Sequence, residues 1–147
     1  MILIPTHLEK AIRAHCEADY PHECCGLLLG VLDGDGQKIL RETYPISNAR
    51  EEAAKRNRFL ITPQELLGGE KYARAQKLDV LGFYHSHPDH PARPSGFDLD
   101  HAWPFYSYII VAVHQGRAGD FTSWELLEDR SGFSGETLES APASQGV

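Results

Sequence analysis

Polar and apolar positions divide the chain into short elements of two different periods. Leu8, Ile12 and Cys16, with Ala11 and His15 beside them, recur at helical spacing. Thr6 followed by Glu9 reads as a capping box, and Tyr20-Pro21 closes the run, so a helix is expected over 6–19. "CCGLLLGVLDGDGQKILRETYPI" then changes to strand character around Asp33-Gly34-Asp35-Gly36, which predicts a hairpin. "SNAREEAAKRNR" (47–58) is charged, lacks an apolar face and is expected to be solvated, and "FLI" (59–61) reads as a short strand. Thr62, Pro63 and Glu65 supply an N-cap, a first-turn proline and a capping glutamate for a second helix running to about Lys77. "DVLGFYHSH" (79–87), "YSYIIVAV" (106–113) and "FTSWELLE" (121–128) read as strands, with a short helix over 98–103. Beyond Gly132 the residues are small, polar and acidic, so 131–147 is expected to be a disordered tail behind a single domain over 1–130. This order of helix, hairpin, helix and strands predicts an α+β sheet packed with helices.

Composition narrows the function classes. The 147 residues, 41% hydrophobic and 24% charged, suit one soluble domain. A net charge of −7 argues against nucleic-acid and anionic-membrane partners. No apolar run approaches the roughly 20 residues of a membrane helix. The opening residues lack the basic start and long apolar stretch of a signal peptide, so a cytoplasmic location is expected. Three cysteines, with Cys24 and Cys25 adjacent, make no disulfide framework and are expected to be reduced.

Candidate chemistry concentrates in "HSHPDHPARPSGFD" (85–98). His85 and His87 are two apart at a strand end, so both imidazoles face one side. Such a pair suits zinc, and Asp98 becomes the third ligand if the loop turns back. Pro88, Pro91 and Pro94 restrict the loop and lower the entropy cost of that return. Two neutral imidazoles and one carboxylate leave a zinc site at net +1, which acidifies a bound water. The chemistry then requires a carboxylate that is not itself a ligand. A plainer reading has Ser95 and Asp98 simply starting a helix, and the histidines simply ending a strand.

The pattern His85-x-His87 followed by Ser95-x-x-Asp98 resembles the JAMM motif of MPN-type zinc metallopeptidases position for position. "PHECCGLLLG" (21–30) is similar to the upstream glutamate segment of the short bacterial members, and "WPFYSYIIVAV" (103–113) to their following strand. The resemblance implies a curved mixed β-sheet flanked by helices. It also implies one zinc ion per chain on His85, His87 and Asp98, with Glu23 as proton carrier and Ser95 as oxyanion donor. The implied reaction is amide hydrolysis without a covalent enzyme intermediate. The implied substrate is a ubiquitin-like sulfur-carrier protein of the ThiS or MoaD kind, cut next to its C-terminal Gly-Gly. In some relatives the product is cysteine.

Other residues receive plainer readings. His22, His90 and His101 are expected to be non-ligands, with His101 able to reach the outer surroundings of the site. Asp89 and Asp100 are expected to be solvated, and Trp103, Phe105, Tyr106 and Tyr108 to belong to core and sheet, part of them able to receive a flexible peptide tail. Cys24 or Cys25 could bind the zinc and hold the enzyme off, although a small buried thiol is the simpler reading. Two other function classes compete. One is a zinc-containing binding module without turnover. The other is a RadC-like, DNA-associated protein, against which stand Ser86 between the histidines, the short preceding region and the acidic charge.

Overall fold

The computed structural model describes residues 1–46 and 61–141. In chain order these form β1 (Ile2–Pro5), α1 (Thr6–Asp19), β2 (Cys25–Leu32), β3 (Lys38–Ile46), α2 (Pro63–Ala75), β4 (Asp79–Pro88), α3 (Gly96–His101), β5 (Ser107–His114), β6 (Arg117–Leu126), β7 (Phe133–Glu136) and β8 (Leu138–Ala141). The strands make one sheet in the order β7-β6-β5-β4-β2-β3-β1-β8. β4 runs parallel to β5, and β1 parallel to both β3 and β8, while the other neighbours are antiparallel. The two outermost strands, β7 and β8, are separated in sequence by Thr137 alone. One residue cannot cross a flat sheet whose strands lie about 4.8 Å apart. The sheet therefore curls until its edges nearly meet, giving the curved mixed sheet flanked by helices that the motif implied.

Alternation sorts the strand residues into two cores. Leu28, Leu81, Tyr84, Ile109, Val111 and Val113 face α1 and pack with Leu8, Ile12 and Cys16. Leu27, Leu29, Phe83, Tyr108 and Leu126 face the other way and meet α2 through Ala73. β2 and β5 are thus buried on both faces, which explains their unbroken apolar runs. The β2–β3 hairpin turns where expected. Asp33 Oδ1 accepts the backbone N–H of Asp35 at 2.8 Å and of Gln37 at 2.9 Å, and Gly36 takes a φ of 79°. Among the described residues no helix is long and apolar enough to cross a membrane.

Several expectations are corrected. The tail expected to be disordered contains β7 and β8, so folded structure continues to Ala141. Its strands are stabilised by partners far away in sequence, β6 for β7 and β1 for β8, which local composition does not register. β1, whose four residues carry no strand pattern of their own, is held likewise by β3 and β8. The capping box of α1 does not form. Thr6 Oγ1 instead donates to Ala141 O at 3.0 Å, and Glu9 pairs with Arg13 at 3.1 Å. The box of α2 does form, Glu65 N–H donating to Thr62 Oγ1 at 3.2 Å, and the helix ends at Ala75. The charged segment 47–58 and most of the strand expected at 59–61 lie outside the described residues, and Ile61 belongs to no strand.

Candidate metal centre

β4 sits between β2 and β5, and its buried C-terminal end carries His85 and His87 on the face opposite α1. The two Nε2 atoms lie 3.1 Å apart. After Pro88 the chain turns back, and Ser95 starts α3 with a capping box. Ser95 N–H donates to Asp98 Oδ2 at 2.8 Å, and Asp98 N–H donates to Ser95 Oγ at 3.1 Å. The box aims the Asp98 carboxylate at the strand. Its Oδ1 lies 3.2 Å from His85 Nε2 and its Oδ2 3.2 Å from His87 Nε2. Ser95-x-x-Asp98 therefore starts a helix and at the same time brings the Asp98 carboxylate to both imidazoles.

This donor set fits zinc. Tetrahedral donors about 2.0–2.1 Å from an ion stand roughly 3.3 Å from one another; here the two Nε2 atoms are 3.1 Å apart, and the Asp98 carboxylate spans them, Oδ1 3.2 Å from His85 Nε2 and Oδ2 3.2 Å from His87 Nε2. His87 is oriented from behind, since its Nδ1–H donates to Pro91 O at 2.8 Å and leaves the Nε2 lone pair facing the cluster. The loop prolines thus supply an acceptor as well as stiffness. Burial lowers the His85 imidazole below its ordinary range, against a smaller opposing pull from Asp98, and so favours the neutral form that a metal needs. Burial by itself raises the Asp98 carboxyl. The two imidazoles and the Ser95 N–H outweigh it and hold the group well below the usual carboxylate range.

Glu23 precedes β2, whose register pairs Cys25 with His85 and continues through Ser86 N–H to Cys24 O at 3.2 Å. Counting one residue further sets Glu23 beside His87. Glu23 is buried, and it lines one groove with His87, His90, Arg93, Ser95 and Phe97. Ser95 is exposed at the mouth of that groove. His85, His87 and Asp98 therefore form one compact cluster, with Glu23 and Ser95 along the adjoining cleft.

The remaining candidates separate. His90 is exposed on the groove wall, while His101 lines a small cavity with His85 and Asp98 and donates through Nδ1–H to Phe97 O at 2.8 Å. Asp89 is more than a solvated residue: it accepts from Tyr20 Oη at 2.7 Å and from Gln115 N–H at 3.0 Å, anchoring the loop after β4. The aromatic stretch divides, Tyr108 being buried whereas Trp103 and Phe105 are 63% and 82% exposed. Trp103, Phe97, Tyr108, Leu66 and Ile61 line an apolar groove beside the cluster, which sequence periodicity could not separate from core. Neither Cys24 nor Cys25 joins the cluster among the described residues, since Cys24 turns toward α1 and Cys25 packs with Leu27 and Leu29.

Fold and donor set together define an MPN/JAB-fold protein related to the JAMM-type zinc peptidases. Over residues 5–127 the chain matches the model for prokaryotic homologs of the JAB domain, and it belongs to that family. It is 34% identical over 119 residues to the desampylase of Haloferax volcanii, covering 79% of this chain and 81% of that protein. It is 29% identical over 118 residues to the "Probable TtuB-protein conjugate cleaving protease" of Thermus thermophilus, covering 80% and 74%. A JAB1/MPN domain protein from Archaeoglobus fulgidus shares the fold at a TM-score of 0.59 and 22% identity, over 96% of this chain and 97% of that one.

Proposed function

We propose that this chain is a zinc-dependent peptidase of the cytoplasm that hydrolyses a peptide or isopeptide bond at the C-terminal Gly-Gly of a ubiquitin-like sulfur-carrier protein. The observation that carries this reading is the compact cluster of His85, His87 and Asp98, with Glu23 and Ser95 lining the cleft beside it. The conjugate-cleaving activity in the name of the Thermus relative supports the substrate class. The apolar groove at Trp103 and Phe97 suits an extended tail whose last residues lack side chains. Three free cysteines fit a reducing compartment.

In this reading His85 and His87 ligate through Nε2, and Asp98 through its carboxylate, one ion per chain. Bound zinc supplies a Lewis acid that polarises the scissile carbonyl and acidifies water. Glu23 takes the proton of the attacking water and delivers it to the leaving amine. The Ser95 hydroxyl spends a lone pair on Asp98 N–H, so its own proton remains for the developing oxyanion.

The test is incubation of the zinc-loaded protein with carrier conjugates, one joined through cysteine and one through a lysine side chain, followed by mass measurement of the products. Cleavage that stops with a strong chelator and returns with zinc is expected. Glu23→Gln should keep one zinc per chain and lose about 10²–10⁴ in kcat. Cleavage that persists after complete zinc removal overturns the proposal. Capture of the carrier without any turnover, unchanged in Glu23→Gln, would favour the binding-module reading.

A further inference from the structure

β4 carries a second cluster on its other face. Tyr84 and Ser86 alternate with His85 and His87 and point toward α1. There one donor atom from each of His15, Asp19 and Cys24 falls within 4.8 Å of the other two. Cys16 joins through Cys24, the two Sγ atoms lying 3.2 Å apart with both thiols buried. His15 and Asp19 stand one helical turn apart on α1, Nε2 to Oδ2 at 3.3 Å. Tyr84 Oη contacts His15 Nδ1 at 2.6 Å and orients the ring, as the outer partners of metal-binding histidines do.

We propose that Cys16, Cys24, His15 and Asp19 form a second metal site, for one thiophilic divalent ion of the zinc class. Two sulfurs, an imidazole and a carboxylate make the mixed set that tetrahedral zinc accepts, with donors roughly 3.5–3.8 Å apart when two are sulfur. The donor atoms of His15, Asp19 and Cys24 lie within 4.8 Å of one another and Cys16 Sγ lies 3.2 Å from Cys24 Sγ, so side-chain movements that draw Cys16 in and contract the group close the site. The ion enters from solvent past His15 and Asp19, whose side chains are 20% and 40% exposed, and reaches the thiols behind them. Each thiol releases its proton to solvent on binding.

The site shares no ligand with the His85, His87 and Asp98 cluster, yet the two are joined through one peptide. Cys24 N–H donates to Ser86 Oγ at 2.9 Å, Ser86 N–H returns to Cys24 O at 3.2 Å, and Glu23 immediately precedes Cys24. An ion bound here clamps α1 to the start of β2, where Glu23 leaves the helix side and enters the cleft.

Cobalt(II), titrated anaerobically into the reduced full-length protein, is the probe. A thiolate-to-cobalt charge-transfer band reports cysteine ligation, and the His85, His87 and Asp98 cluster contains no sulfur. The expected result is two equivalents bound, one of them producing the band. His85→Ala should lose one equivalent and keep the band, and Cys25→Ser should keep both. Cys24→Ser should lose the band. His15→Ala and Asp19→Asn, at partly exposed positions that folding tolerates, should each weaken the band-forming equivalent by about ten-fold or more. Saturation at one equivalent without a band overturns the proposal. So does a protein that, before any metal is added, lacks two titratable thiols and is lighter by two hydrogens, because the pair is then a disulfide. Since the readout is spectroscopic, its failure leaves the peptidase reading untouched, and failure of that reading leaves the band.

Discussion

The proposed mechanism places two tasks on the Ser95 hydroxyl, and their separation can be measured. As N-cap it accepts Asp98 N–H, and as oxyanion donor it would use its proton. Ser95→Ala should lower kcat by about 10²–10³ through the lost donor. It should cost about 1 kcal/mol of stability through the lost cap. Zinc content should persist because Ser95 N–H still holds Asp98. A KM that moves far more than kcat would contradict the oxyanion role. His85 and Asp98 set the acid limit of the zinc-free protein. Both are held below their ordinary values in the fold, so the unfolded chain binds more protons than the native one as pH falls. Stability should therefore decline first below about 6.5 as the unfolded-state imidazole protonates, and again below about 4 as the unfolded-state carboxyl does. Urea melts of the zinc-free protein across this range give the check, and a midpoint that rises on acidification would be the wrong sign. The residue types and spacing of this cluster were readable in the chain. The role of Pro91 O as the acceptor that orients His87 was not, because a backbone carbonyl has no sequence signature.

At the scale of elements, β4 positions both cluster histidines only if it lies close against β5. Gly82 makes that approach possible: a Cβ there would meet Ser107 O at 1.9 Å and Ser107 N at 2.7 Å, both backbone atoms that cannot step aside. Gly82→Ala should therefore destabilise the protein by about 3 kcal/mol or more, at the upper end of overpacking effects. Zinc affinity should weaken as well, because the shift enters the strand that carries His85. Thermal melting and zinc titration of the variant test both. The two predicted capping boxes show where element-level reading succeeds and fails. Thr62 and Glu65 close the box, with no competing partner among the described residues. Thr6 and Glu9 obey the same local rule but meet β8, where Ala141 O takes the threonine hydroxyl and Ser140 Oγ donates to the glutamate at 3.2 Å. A tertiary contact outcompetes a local one worth about 1 kcal/mol.

At the scale of the molecule, closure of the sheet depends on the segment that looked disposable. Glu136, its side chain 1% exposed, accepts from Ser107 Oγ at 2.6 Å and Ser123 Oγ at 2.7 Å, and lies 3.5 Å from both Lys38 Nζ and the chain's amino terminus. One carboxylate thus ties β3, β5, β6 and β7 together across the curl. Removing it from a buried pair should cost about 3–5 kcal/mol, so Glu136→Gln should lower Tm markedly while leaving His85, His87 and Asp98 in place. Truncation after Gly132 removes β7, β8 and this carboxylate together, and circular dichroism should show lost or strongly weakened cooperative unfolding. A truncated chain that melts like the full one would mean that closure contributes little.

By itself the sequence determined the helices, the hairpin, the central strands and the chemical identity of the cluster. Each of these rests on periodicity, turn residues or donor types that act over a few neighbouring positions. It also pointed to Glu23, although only through likeness to a family. The tertiary structure decided what depends on distant partners: strands β1, β7 and β8, the closing of the sheet around Glu136, and the fate of the first capping box. It also decided which face each cysteine takes. Adjacent in the chain, Cys24 and Cys25 enter opposite cores because a strand alternates sides, and only the packing of α1 brings Cys16 and His15 to the first of them.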